Sequence, residues 1–123
     1  MRIHKSAEDY LEMILRLNEE KGYARSVDIA TGLGVSKPSV SVAMKRLREN
    51  GYINMDQNNL ITLTDAGEEI ARNIYDRHKT LTHCLQLLGV SDEIAREDAC
   101  KLEHDISQTA YEALVEFLKK HQM

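Results

Sequence analysis

Asp28-Ile29-Ala30-Thr31-Gly32-Leu33-Gly34-Val35-Ser36, continuing into Lys37-Pro38-Ser39-Val40-Ser41-Val42, is the stretch on which the fold turns. A short amphipathic run stops at Gly34, and Ser36 then opens a second run. Serine suits an N-cap, and proline is tolerated in a first helical turn, where its missing N–H has no helical partner to lose. The spacing predicts a helix over 26–33 capped by Ser26, a turn at Gly34-Val35, and a helix over 36–50 with Gly51 just past its C-cap. Val27, Ile29, Ala30 and Leu33 are expected inside the first, and Val40, Ala43, Met44 and Leu47 inside the second. The outer side of the second carries Lys37, Pro38, Ser39, Ser41, Val42 and Lys45, with Arg46 beside them. Small residues at the start of a helix let it enter the major groove of duplex DNA. Ser39 and Ser41 can bond phosphates or base edges, Pro38 and Val42 can touch thymine methyls, and Lys37, Lys45 and Arg46 can meet phosphates. Any three-helix domain has a short turn and a serine cap; the combination with this outer face reads as a helix-turn-helix.

Working outward, Ser6 as N-cap and Tyr10, Leu11, Ile14 and Leu17 at helical spacing predict a helix over 6–20, ended by Gly22. Asp9 and Glu12 stand i, i+3 on it. Their plain roles are a capping partner for Ser6 and a solvated carboxylate. Beyond the motif, Tyr52-Ile53-Asn54-Met55 and Leu60-Ile61-Thr62-Leu63 flank Asp56-Gln57-Asn58-Asn59 and read as a hairpin, which makes the unit a winged helix. Thr64 caps a helix over 65–88, stopped by Gly89, with Ile70, Ile74, Leu81, Leu85 and Leu88 as its apolar stripe. A last helix over 107–120 is apolar on a wide face. Both are expected to build a homodimer interface. The fold class is mainly α with a small β-hairpin: a winged helix-turn-helix over 1–64, then an all-helical dimerisation domain over 65–123.

Composition agrees. The 123 residues are 42% hydrophobic and 29% charged, with a net charge of −4. Distribution matters more than the sum. Residues 36–48 hold Lys37, Lys45, Arg46 and Arg48 and no acid, whereas 76–123 hold nine Asp/Glu against six Lys/Arg. A basic stripe on an acidic body can still grip phosphate. No apolar run is long enough to span a membrane, and Met1-Arg2-Ile3-His4-Lys5 lacks the apolar core of a signal peptide, so a cytoplasmic protein is expected. Two cysteines, Cys84 and Cys100, do not make a disulfide scaffold.

Cys100-Lys101-Leu102-Glu103-His104 carries the chemistry. Ser91, Asp92 and Glu93 suit the start of a helix that no Gly or Pro interrupts before Ser107. Positions i, i+3 and i+4 share one helical face, so a thiol, a carboxylate and an imidazole stand together. All three are ligands for divalent transition metals. The bland alternative is a buried Cys100 beside a solvated Glu103-His104 pair. A helical histidine such as His78, taken by itself, is more commonly structural or exposed, and Cys84 reads as a small buried hydrophobe.

With Ser6-Ala7-Glu8-Asp9-Tyr10-Leu11-Glu12, Leu63-Thr64-Asp65-Ala66-Gly67, Arg77-His78 and Asp98-Ala99-Cys100-Lys101-Leu102-Glu103-His104 added to the helix-turn-helix, the chain resembles the metal-dependent repressors typified by the diphtheria toxin repressor and the manganese transport regulator. The resemblance implies metal ligands at Asp9, Glu12, His78, Cys100, Glu103 and His104. It also implies a DNA operator as partner, a homodimer, and the short form without an SH3-like domain. The pattern is mixed. The manganese branch has an acid where Cys100 stands. The diphtheria branch has Cys there but Met in place of Asp9, and its ancillary site takes a His and a Glu where this chain has Arg96 and Thr82. A soft thiolate with hard carboxylates points to Fe(II) or Mn(II) in the cell, with Zn(II), Co(II) or Ni(II) able to bind in vitro.

Three other readings compete. A winged-helix regulator answering a non-metal effector would make the Cys100 cluster incidental. A small metalloenzyme would need an open coordination position with an acid or base beside it; no phosphate loop, nucleophile elbow or H-E-x-x-H motif is present, so no enzyme is expected. A purely structural DNA-binding protein would carry a broad basic surface, which the acidic C-terminal half does not supply.

Overall fold

The structure is a computed structural model that describes residues 5–121; Met1–His4, part of the stretch read above for a leader, lies outside them. The element order is α1 (Lys5–Lys21), α2 (Ser26–Leu33), α3 (Lys37–Glu49), β1 (Ile53–Met55), β2 (Ile61–Leu63), α4 (Asp65–Leu87), α5 (Asp92–Leu102) and α6 (Gln108–His121). The chain divides into two compact units, Met1–Arg72 and Asn73–Met123, with the division inside α4.

In the first unit, α1, α2, α3 and the hairpin enclose one apolar core. Leu11, Ile14, Ile29, Val40 and Ile61 are wholly buried. The stripe of α1 forms as its spacing predicts, but Ser6 lies inside the helix and does not cap it. Arg25, not Ser26, occupies the N-cap of α2 and makes no side-chain cap bond. Val27 is 47% exposed and so leaves the expected inward set; α2 is too short to bury more than one narrow stripe, here Ile29 and Ala30. Gly34 ends α2 at φ +67, a left-handed conformation that favours glycine. Ser36 caps α3 as expected, its Oγ accepting from the Ser39 amide at 3.3 Å.

β1 and β2 pair antiparallel, with Ile53 opposite Leu63 and Met55 opposite Ile61. Ile53 and Ile61 point into the core while Asn54 and Thr62 face out, the period-two pattern of a half-buried ribbon. The polar turn holds itself: Asp56 Oδ1 accepts from the amides of Asn58 (2.8 Å) and Leu60 (3.0 Å). Asn59 there takes φ +62, which Asn tolerates better than most residues. The wing is tied to the start of α4 through Thr64, whose Oγ1 donates to the Gly51 carbonyl at 2.7 Å and accepts from the Gly67 amide at 3.2 Å.

In the second unit, Ala95 and Ala99 form a buried small-residue stripe on α5, while Ile74, Leu81 and Cys84 are buried on α4. Leu88 is 79% exposed, and Leu87, Ile94, Leu102 and Phe117 also face solvent in the single chain. Ser91 stands at the N-cap of α5 without a side-chain cap bond. The helix stops at Leu102, earlier than its sequence suggests. Glu103 is its C-cap and keeps helical φ/ψ (−59°, −28°), and His104 falls in the turn beyond. The i, i+3 relation of Cys100 to Glu103 therefore survives, while His104 owes its place to the turn. Ser107 Oγ accepts from the Ala110 amide at 3.1 Å and caps α6.

Candidate metal centre and nucleic-acid interface

His78 projects from α4, Cys100 from the last turn of α5, and Glu103 from its C-cap. One ligand atom of each lies within 4.8 Å of the others. His78 Nδ1 is 2.9 Å from Glu103 Oε2, and Cys100 Sγ is 3.7 Å from the same Nδ1. His104 Nε2 reaches the other carboxylate oxygen of Glu103 at 3.4 Å. Glu103 is only 1% exposed, and the His104 side chain is almost as deeply covered. Cys100 is exposed. The bland sequence alternative is thus inverted: the thiol reaches the surface, and the carboxylate and imidazole are covered.

A carboxylate out of water costs several kcal/mol unless protons or cations answer it. Here two imidazoles flank it and a thiol stands beside one of them. A soft, an intermediate and a hard donor converging within one ligand sphere suit a divalent transition ion. The residues fit such an ion. Thr82 Oγ1 donates to the His78 carbonyl at 2.7 Å, so it is committed to its own helix.

Asp9 and Glu12 lie on α1 in the first unit. Asp9 is half-buried and pairs with Lys5 at 3.2 Å. Glu12 is buried, which removes the solvated role considered for it.

The sequence reading gave no role to Arg77. Its Nη1 donates to the carbonyls of Glu103 (3.2 Å) and Ile106 (2.6 Å), and its Nη2 to Gln108 Oε1 at 2.9 Å. Its guanidinium carbon lies 5.4 Å from the Tyr111 ring centroid. The available signal was a cation one residue before a candidate ligand, with no glycine to close the helix that ends at Leu102.

In the first unit, Lys37, Pro38, Ser39, Ser41, Val42, Lys45 and Arg46 are all exposed, and Val42 presents more than half of its surface. A recess of about 490 Å³ opens beside them, lined among others by Arg25, Ser41, Lys45, Arg48, Asn58 and Asn59. It brings α3, the start of α2 and the wing tip together. The wing has no cation of its own, but Lys45, Arg48 and Arg25 stand next to it. Arg25 escaped the sequence reading because it lies before the helix-turn-helix.

Among the described residues no helix is long and apolar enough to cross a membrane. A sequence model described as "Iron dependent repressor, N-terminal DNA binding domain" matches residues 2–59. A second, "Iron dependent repressor, metal binding and dimerisation domain", matches residues 64–123. The chain is 43% identical over 114 residues to the transcriptional regulator MntR of Salmonella typhimurium, covering 93% of this chain and 73% of that protein. It is 36% identical to the HTH-type transcriptional regulator MntR of Geobacillus kaustophilus over 117 residues, covering 95% of this chain and 83% of that one. In structure it resembles IdeR of T. acidophilum with a TM-score of 0.82 and 25% identity, over 97% of this chain; it spans 55% of that chain's length. A manganese-dependent transcriptional repressor in complex with manganese gives a TM-score of 0.83 at 27% identity, over 92% of this chain and 52% of that one.

Proposed function

The chain belongs to the iron dependent repressor family of metal-dependent transcriptional regulators, and from that membership we propose that it represses metal-homeostasis genes with Fe(II) or Mn(II) as co-repressor. The observation that carries the proposal is the convergence of the His78 imidazole, the Cys100 thiol and the buried Glu103 carboxylate within 4.8 Å. His104, against the second oxygen of Glu103, is the fourth proposed ligand of this unit. Asp9 and Glu12 of α1 are proposed as further metal ligands from the family resemblance alone.

When bound, a divalent ion supplies the positive charge that several carboxylates and a thiolate can share. The chain's own residues supply the rest. Glu103 offers both oxygens, His78 and His104 offer nitrogens, and Cys100 tilts the set toward softer ions than an all-oxygen site accepts. A metal that favours the operator-binding state makes metal affinity and operator affinity reciprocally linked quantities. Lys37, Lys45 and Arg46 take phosphates; Pro38, Ser39, Ser41 and Val42 take the groove, and a homodimer presents two such helices to an operator. No catalytic step is assigned, and the cytoplasm is the proposed place of action.

The test is anaerobic fluorescence anisotropy of labelled genomic promoter fragments at fixed salt, titrated with Fe(II), Mn(II) and Zn(II). We expect binding that appears only with metal and that Glu103→Gln loses. Affinity indifferent to every metal would leave a winged-helix DNA binder and remove the metal from its control.

A further inference from the structure

We infer that Arg77 is the positioning residue of the metal centre: it fixes the main chain that carries Glu103 and His104 by holding the carbonyls of the turn between α5 and α6. The inference deepens the metal reading above and rests on it.

α5 ends without the glycine that commonly closes a helix, and its last carbonyls need other donors. The amides of Asp105 and Ile106 both return to the Leu102 carbonyl. Arg77 takes the carbonyls of Glu103 and Ile106 with one nitrogen and the side chain of Gln108 with another, while Tyr111 faces its cation. One guanidinium thus spans the end of α5, the turn and the first turns of α6. Its neighbour in sequence, His78, meets the carboxylate of the same Glu103. Consecutive residues of α4 hold Glu103 twice, Arg77 by its carbonyl and His78 by its side chain.

A general stabilising role accounts poorly for this arrangement. Arg77 Nε is buried without a hydrogen-bond partner, and among the described residues no carboxylate pairs with the cation. A half-buried guanidinium held by carbonyl oxygens and an aromatic face, with no carboxylate partner, is a weak source of stability. What the guanidinium offers is a planar fork of fixed geometry, which an ammonium does not reproduce. Groups that orient ligands without touching the ion commonly change metal affinity about 10–100-fold.

The experiment is a Co(II) titration of the full chain, followed by absorption and by chelator competition, on wild type, Arg77→Met, Arg77→Lys and Glu103→Gln. It is paired with hydrogen exchange of the metal-free proteins. We expect Arg77→Met to weaken Co(II) binding about 10–100-fold, to shift the d–d bands, and to speed exchange at the amides of residues 103–107. Arg77→Lys, the variant safer for folding, is expected to keep the charge and fail to restore affinity or spectrum. Wild-type uptake of Co(II) with Arg77→Lys within twofold of it and an unchanged spectrum overturns the inference alone, even if Arg77→Met does not fold. A weaker affinity with wild-type spectrum and wild-type exchange also overturns it, since the turn and the ligand geometry would then not depend on Arg77. A wild-type chain that takes up no Co(II), like Glu103→Gln, overturns the metal reading and this inference with it.

Discussion

The imidazole of His78 and the carboxylate of Glu103 meet at 2.9 Å with both side chains almost wholly removed from solvent. The two residues lie 25 positions apart, on α4 and at the end of α5. A neighbouring thiol, which is exposed, stands 3.7 Å from the same imidazole nitrogen. A covered imidazole and carboxylate thus stand beside an exposed thiol.

Removal of His78 therefore acts on the site directly. His78→Ala is expected to weaken Co(II) binding by more than about 100-fold, beyond what orienting groups contribute. Cys100→Ser is expected to keep measurable binding but lose the sulfur-to-cobalt charge-transfer absorption. Chelator competition with ultraviolet spectra checks both, and an intact charge-transfer band in Cys100→Ser would exclude Cys100 as the source of sulfur.

The two cysteines are expected to differ in reactivity. Burial pushes the Cys84 thiol above its ordinary pKa, so its reactive thiolate is scarcer at neutral pH than in a free thiol. Raising the pH should speed its alkylation later than that of an unburied thiol. Iodoacetamide at pH 7.5, followed by intact mass and peptide mapping, should label Cys100 first. Prior addition of Zn(II) should slow Cys100 and leave Cys84 unchanged. Equal labelling of Cys100 with and without Zn(II) would count against its ligand role.

On the DNA side, phosphate and groove contacts separate by salt dependence. Lys45→Ala is expected to weaken binding to all sequences and to lower the slope of log affinity against log salt by about 1. Val42→Ser should keep that slope and cost about 1–3 kcal/mol at the base pairs it meets. Anisotropy at four salt concentrations distinguishes the two. A Lys45→Ala slope equal to wild type would remove Lys45 from the phosphate contacts.

Gly67 marks where the wing and α4 come too close for a side chain. A Cβ there would run into the Tyr52 carbonyl oxygen, a rigid main-chain atom. Gly67→Ala is expected to destabilise the chain by about 1–3 kcal/mol, the range for overpacking. The readout is urea unfolding by circular dichroism. A variant as stable as wild type would show that the wing can move away from α4 freely.

The elements were legible because their causes are local. The α1 stripe of Leu11, Ile14 and Leu17, the Ser36 cap, the polar turn at Asp56 and the stop at Gly34 each depend on residues within a few positions. The same holds for the i, i+3 pairing of Cys100 with Glu103. Sequence likewise named the exposed face of α3, since period and residue size sufficed. Burial and partnership were not local. Only the folded chain decided that Glu103 is covered while Cys100 is exposed, that Val27 faces out, and that α5 stops at Leu102 with Arg77 on the carbonyls beyond it. The physical reason is that a side chain's solvent exposure and a carbonyl's donor are set by whatever distant segment arrives against them, and periodicity along one helix carries no record of that segment.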